Sequence, residues 1–194
     1  MTVDKALSRS QVESKTKFRL AGHDLTKTRE ANDFYPTPPS GILPFLEKEK
    51  FEGNIWECAC GDGAISKILI DKGYNVYSSD LNNYDYGDKT IDFLSNHNIK
   101  YDNIITNPPF KLSLEFTLKA LSCVNNKAVF LHKLTYLEGI KRYQNIFNLN
   151  KLEKVLIFSK RLGFKKDDKK GGLMCFAWFV FDVNYNGKPQ IDWI

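Results

Sequence analysis

Apolar residues in this chain fall into short runs separated by polar turns rich in glycine and proline. Tyr101 to Thr106 is a short run with β-branched residues that reads as a buried strand, and Pro108 and Pro109 stop it. Asn54 to Glu57 reads as a strand running into the glycine-rich turn Cys58-Ala59-Cys60-Gly61-Asp62-Gly63. Ala64 to Lys72 then carries Ile65, Ile68 and Leu69 at helical spacing, with Gly73 as its stop, and Tyr74 to Ser79 is a second strand closed by Asp80. Further on, Leu114, Leu118 and Leu121 mark a helix face. Lys127–Tyr136 reads as a strand, Gly139–Leu149 as a helix and Lys154–Ser159 as a strand. Leu173–Phe181 is a long aromatic strand, the simplest partner for the strand before it. Near the start, Ile42, Leu43, Phe45 and Leu46 predict a short helix with Ser40 as its cap.

At 194 residues the chain predicts one domain over 31–194, preceded by a polar, basic and mobile arm at 1–30. No apolar run is long enough to span a bilayer, and the N-terminus is too polar for a signal peptide, so a cytoplasmic protein is expected, in the host cytoplasm if phage-encoded. Cys58 and Cys60 lack a second close pair, which argues against a zinc site, and all four cysteines read as reduced thiols; no metal is expected. The net charge of +5 is unevenly spread. Residues 1–30 carry +3 and residues 141–170 carry +7, which leaves −5 for the remainder. Such asymmetry suits either a polyanion partner or a solvated lysine-rich face.

Several stretches carry candidate chemistry. Asn107-Pro108-Pro109-Phe110 at the mouth of a strand is either an ordinary Asn-Pro turn or a stiff mount for an amide beside an aromatic ring. Glycines let a backbone approach a ligand, and Asp80 lies 19 residues after Gly61, a spacing at which a carboxylate meets the ribose hydroxyls of a nucleoside. Glu57 stands four residues upstream of Gly61. Asp92-Phe93 reads either as a strand start or as an acid and a ring set to hold an adenine. Asp33 to Pro39 holds three prolines and two aromatic rings, an extended and rigid segment that is either a plain linker or, as its rings argue, a surface that meets a ligand or partner. The loop Lys160–Lys170, closed by Gly171-Gly172, is long for a connection between two strands unless it binds something.

Taken together, these residues resemble the S-adenosylmethionine-dependent amino-methyltransferases, most closely the N6-adenine DNA methyltransferases of phage type. The resemblance covers residues 33 to about 181, with the motifs in the family's order. It implies an α/β fold: a Rossmann-like seven-stranded, mostly parallel sheet with an antiparallel last strand and helices on both faces. It implies S-adenosylmethionine as cofactor, with Tyr35, Thr37, Glu57, Ala59, Gly61, Gly63, Asp80, Asp92, Phe93 and Asn107 around it. Thr37 and Ala59 would line the methionine end, Asp80 the ribose, and Asp92 and Phe93 the adenine. Asn107, Pro108 and Phe110 would be catalytic. Phe110 and Phe164 would pack on a flipped base, while Arg161, Lys165 and Lys166 hold phosphates. The implied partner is DNA, with RNA less favoured, no membrane, and no particular oligomeric state. Related restriction-system enzymes carry a separate target-recognition domain for which this chain has no room. Recognition is therefore expected from the arm and the loop at 160–172.

In this reading the Asn107 side-chain oxygen and the Pro108 carbonyl accept both N–H groups of the target amine, which frees its lone pair. His97 and His132 are expected to be structural. The same motif would serve RNA adenine or a protein glutamine amide. A different class of reading is a non-catalytic module that holds nucleic acid or cofactor on this fold.

Overall fold

A computed structural model describes residues 34–95, 99–164, 172 and 174–194. The arm at 1–30, His97, Lys165 and Lys166 lie outside the described residues. The described residues belong to one unit spanning Asn32–Ile194.

The elements in chain order are α1 (Pro39–Lys48), β1 (Ile55–Glu57), α2 (Ala64–Asp71), β2 (Val76–Asp80), β3 (Lys89–Thr90), β4 (Tyr101–Thr106), α3 (Ser113–Cys123), β5 (Val124–Lys133), α4 (Ile140–Asn145), β6 (Leu152–Ile157), β7 (Phe176–Asp182) and β8 (Gln190–Trp193). Short 3-10 turns at Phe110–Leu112, Leu134–Leu137 and Phe147–Leu149 link them. The strands form one sheet in the order β3-β2-β1-β4-β5-β7-β6-β8. Among these strands only β7 runs against its neighbours, pairing its Phe179 with Phe130 of β5 and its Trp178 with Leu156 of β6. This is the expected mostly parallel α/β sheet with one antiparallel strand late in the chain. It carries an eighth strand beyond the seven anticipated: β8 pairs parallel with β6 along the sheet edge, and its residues are exposed.

Both faces of the sheet are covered, which is why its central strands read as near-continuous apolar runs. On β7, Trp178 and Val180 face one layer with Leu131, Ile105, and Ile42 and Phe45 of α1, while Ile65 and Leu69 of α2 complete it. Ala177, Phe179 and Phe181 face the other, with Phe130, Ile104, Phe116 and Ala120 of α3, and Tyr136. The cap of α1 differs from expectation. Pro38 is its N-cap residue, no side chain caps it, and Ser40 already lies inside the helix. Proline at the first helical position is preset in φ and lacks the N–H that a cap would satisfy. Distant from the strand ends that matter below, buried Glu49 is held by Lys127 at 2.5 Å and Lys154 at 2.8 Å.

The strand order reverses direction between β1 and β4. One half of the sheet winds outward from β1 to β2 and β3, the other from β4 to β5. The carboxyl ends of β1 and β4 flank the crevice at this switch point, where open α/β sheets bind ligands. The chain leaves β1 into the glycine-rich turn and leaves β4 into Asn107-Pro108-Pro109-Phe110.

Trp178 ties β7 to the helix beneath that crevice. Its indole N–H donates to the Gly41 carbonyl at 2.6 Å, and its ring stacks on Phe45 at 4.8 Å. Trp178→Ala should destabilise the chain by about 3–5 kcal/mol, as for other large aromatic truncations. Urea unfolding followed by circular dichroism measures this.

Candidate active site

The turn after β4 is fastened from two sides. The Asn107 Nδ2 group donates to the Tyr35 carbonyl at 3.0 Å and to Thr37 Oγ1 at 3.1 Å. A backbone carbonyl only accepts, so the amide nitrogen must face Tyr35, and this fixes where the amide oxygen points. Asn107 Oδ1 is buried and has no hydrogen-bond partner among the described residues. From the other side a ladder of hydroxyls anchors the 3-10 turn. Ser113 Oγ donates to the Phe110 carbonyl at 2.8 Å, Thr117 Oγ1 to the Ser113 carbonyl at 2.8 Å, and the Tyr136 hydroxyl to Thr117 Oγ1 at 2.8 Å.

The glycine-rich turn is closed by Asp80. One Asp80 oxygen accepts the Gly61 N–H at 3.0 Å and the other the Asn82 N–H at 2.9 Å. Gly61 has φ +52° and Gly63 φ +79°, backbone conformations that favour glycine. A side chain at Gly61 would also overlap the Phe34 ring, and one at Gly63 the Tyr86 ring. Phe34 in turn stacks on Tyr84 at 4.5 Å. Sequence reasoning flagged the Phe34 ring only as one that meets a ligand or partner, and missed Tyr84 and Tyr86 altogether. The signal was the tyrosine pair inside the turn-rich stretch 82–88, read there only as a loop.

Glu57 and Thr37 are buried, and Ala59 is half-buried. Glu57 accepts a hydrogen bond from Ser66, whose hydroxyl also meets Ser78 Oγ at 2.7 Å. Burial pushes the Glu57 carboxyl up to about 8, so it is neutral at pH 7. Burial likewise raises the Cys58 thiol and pushes Cys60 up to about 12, leaving both as unreactive thiols. Asp92 is exposed and accepts the Leu94 N–H at 2.9 Å through its side chain. Phe93 departs from its expected place beside an adenine. It is 2% exposed, with its ring against Trp56 at 5.2 Å and Phe116 at 5.0 Å, so it packs the core under the site and offers no open face.

Beyond Asn107 lies an aromatic cluster. Tyr35 and Phe110 are within 22° of parallel with centroids 6.4 Å apart. Phe176 lies 5.6 Å from Phe110, and Phe164 lies 6.1 Å from Tyr35 and 5.0 Å from Phe176. Phe164 and Phe110 thus share Tyr35 and Phe176 as ring neighbours. Lys133 sets its ammonium 5.1 Å from the Phe110 ring centre. Arg161 is exposed, three residues before Phe164. His132, as expected, is structural: it is buried, stacked on Tyr136 at 4.0 Å, and held neutral by burial with its pKa lowered to about 3. No group of three or more His, Cys, Asp or Glu among the described residues could hold a metal ion, and no helix there is long and apolar enough to cross a membrane.

No family model matches the chain, and no curated protein matches it. Solved structures do. A candidate RNA methyltransferase from Pyrococcus horikoshii matches with a TM-score of 0.58 at 16% identity, over 88% of this chain and 99% of that one. A candidate class I S-adenosylmethionine-dependent methyltransferase from Listeria monocytogenes gives 0.58 at 14% identity, over 99% and 75%. A type I restriction-modification methyltransferase subunit from Streptococcus thermophilus gives 0.57 at 14% identity, over 79% of this chain and 46% of that subunit. The chain shares the Rossmann-like α/β fold of these solved structures. In this fold the turns after β1 and β4, which carry Gly61, Gly63 and Asn107, flank the switch-point crevice described above.

The buried Glu57 and His132 set opposite pH dependences. Between the ordinary carboxyl value of 4.5 and about 8, folded Glu57 keeps a proton that the unfolded chain has released, so stability falls as pH rises through that window. Below 6.5 the unfolded chain takes up a proton that folded His132 refuses, so stability also falls as pH drops toward 3. Denaturation midpoints of Glu57→Gln should lose the alkaline fall and keep the acid one. An unchanged alkaline limb would mean that the folded chain carries an ionised carboxylate at position 57.

Proposed function

We propose that this protein is an S-adenosylmethionine-dependent methyltransferase that acts on the N6 amino group of adenine in DNA. The observation that carries the reading is the state of Asn107. Its donor group is spent on Tyr35 and Thr37, while its acceptor oxygen has no partner among the described residues. Burying an acceptor without a hydrogen bond costs about 1–3 kcal/mol. A planar substrate amine would meet that deficit.

The residues present fit the cofactor. Each Asp80 oxygen accepts one backbone N–H and retains acceptor capacity for a ribose hydroxyl. Thr37, Ala59 and the Gly61–Gly63 turn would hold the methionine end and the backbone side of the nucleoside. S-adenosylmethionine supplies an electrophilic methyl group on a sulfonium centre. Asn107 Oδ1 and the Pro108 carbonyl accept the two N–H bonds of the target amine, pull its nitrogen toward a tetrahedral shape and aim its lone pair. Phe110 holds the base by its face, which requires the base to leave the duplex. Among the described residues neither buried candidate acts as a strong base: Glu57 holds its proton and His132 is sealed in the core. The excess proton then passes to water after transfer.

DNA is favoured by the Asn-Pro-Pro-Phe resemblance, by the basic segment 141–170, and by restriction-modification subunits among the similar folds. RNA adenine is the second reading, favoured by the Pyrococcus neighbour's description. Transfer of labelled methyl from S-adenosylmethionine to duplex DNA, RNA and protein separates these readings. Label in DNA adenine is expected, and label only in RNA or protein would overturn the DNA reading.

Asn107→Ala should lower the transfer rate by about 10²–10³-fold, as for loss of one preorganised polar partner, with the melting temperature little changed. Asn107→Asp should keep partial activity because the acceptor oxygen survives. Asp80→Ala should weaken S-adenosylmethionine binding by roughly 1.5–3 kcal/mol, measured by calorimetry. Unchanged affinity would remove Asp80 from the cofactor site.

A further inference from the structure

Among the described residues Lys133 is the cation set over a ring of the aromatic cluster beside Asn107, and neither sequence reasoning nor the mechanism above gives it a role. It is the last residue of β5 and is half-buried. Its backbone is fixed, because Lys133 pairs with Phe176 across the sheet and the next N–H, that of Leu134, donates to the Cys175 carbonyl at 2.9 Å. Its ammonium lies over Phe110 and forms no salt bridge among the described residues. Two half-buried lysines at the other end of the sheet differ. Lys127 and Lys154 are each bound to Glu49 and Glu153.

An ammonium held by a ring face is bound only weakly. Charge-assisted hydrogen bonds to an anion are stronger and shorter. The charge of Lys133 is therefore available to an anion that reaches the cluster. A base that stacks on the Phe110 face Lys133 now covers must push the ammonium outward to the edge of the base. The flexible stem permits that movement while the backbone stays in the sheet. From there the long stem would let the ammonium reach the backbone phosphate of the same nucleotide.

We propose that Lys133 is a phosphate ligand of the target nucleotide in DNA, exchanging its contact with the Phe110 ring for the backbone phosphate when the base enters. This rests on the DNA reading of the site given above. It adds a substrate contact inside the aromatic cluster, apart from the basic loop.

The test compares the parent chain with Lys133→Gln, Lys133→Met and Lys133→Arg, using a labelled adenine-containing DNA duplex at several salt concentrations. The parent slope of log affinity against log salt should become shallower by about 0.9 in the Gln and Met variants, the loss of one phosphate contact. Lys133→Arg should restore it. In methyl-transfer assays the KM for DNA should rise several-fold, more than kcat falls. Met keeps the stem packed on Phe110, so it gives the measurement if the Gln variant does not fold. A lowered melting temperature with the parent's slope and KM would mean that Lys133 only supports the ring, and would overturn the proposal. A parent chain that methylates DNA while both variants keep its slope would sink this proposal alone. A parent chain that transfers methyl only to RNA or protein would sink the DNA reading and this proposal together.

Discussion

The contact on which the site depends is the pair of hydrogen bonds from the Asn107 amide to Tyr35 and Thr37. It joins the turn at the end of β4 to a proline-stiffened segment some seventy residues earlier in the chain. Pro36 and Pro38 limit the conformations of that segment, so ordering it costs little entropy. The amide is then oriented by the Tyr35 carbonyl, which can only accept, and the Thr37 hydroxyl accepts from the same nitrogen. The hydroxyl ladder from Tyr136 through Thr117 and Ser113 steadies the other side of the turn. Both supports come from rigid elements, which is what a geometry-dependent reaction needs.

The sheet makes those supports possible. Its parallel half sends the ends of β1, β2 and β4 to one crevice, so three separate turns meet there without long loops. The antiparallel β7 brings Phe176 to the same end, and the β6–β7 connection returns Phe164 to it. Tyr35, Phe110, Phe164 and Phe176 therefore come from four places in the chain. Their shared wall is built by topology.

Much of this was legible in the sequence, for physical reasons that can be named. Strands covered on both faces must be apolar throughout, and Ile104-Ile105 and Phe176–Phe181 show it. Asp80 was readable because it ends a strand at a fixed distance from a glycine turn. Phe93 misled because an acid followed by an aromatic looks the same whether the ring faces a ligand or the core. The neutrality of Glu57 depends on burial among residues from three elements, which no local pattern encodes. Strand β8 escaped notice because Gln190, Ile191, Asp192 and Trp193 are all exposed, so no core-facing run marks it. Phe34 lies against Gly61 through a contact between distant segments, invisible to periodicity.

The eighth strand gives the molecule an internal optical reporter. The chain has three tryptophans, of which Trp56 and Trp178 are fully buried while Trp193 on β8 is 59% exposed. A water-soluble quencher should reach Trp193 and leave the two core indoles bright. Edge strands with few buried contacts open at lower free energy than the sheet centre. The fluorescence of this chain therefore divides into a fraction that follows fraying of the sheet margin and a fraction that follows collapse of the whole domain.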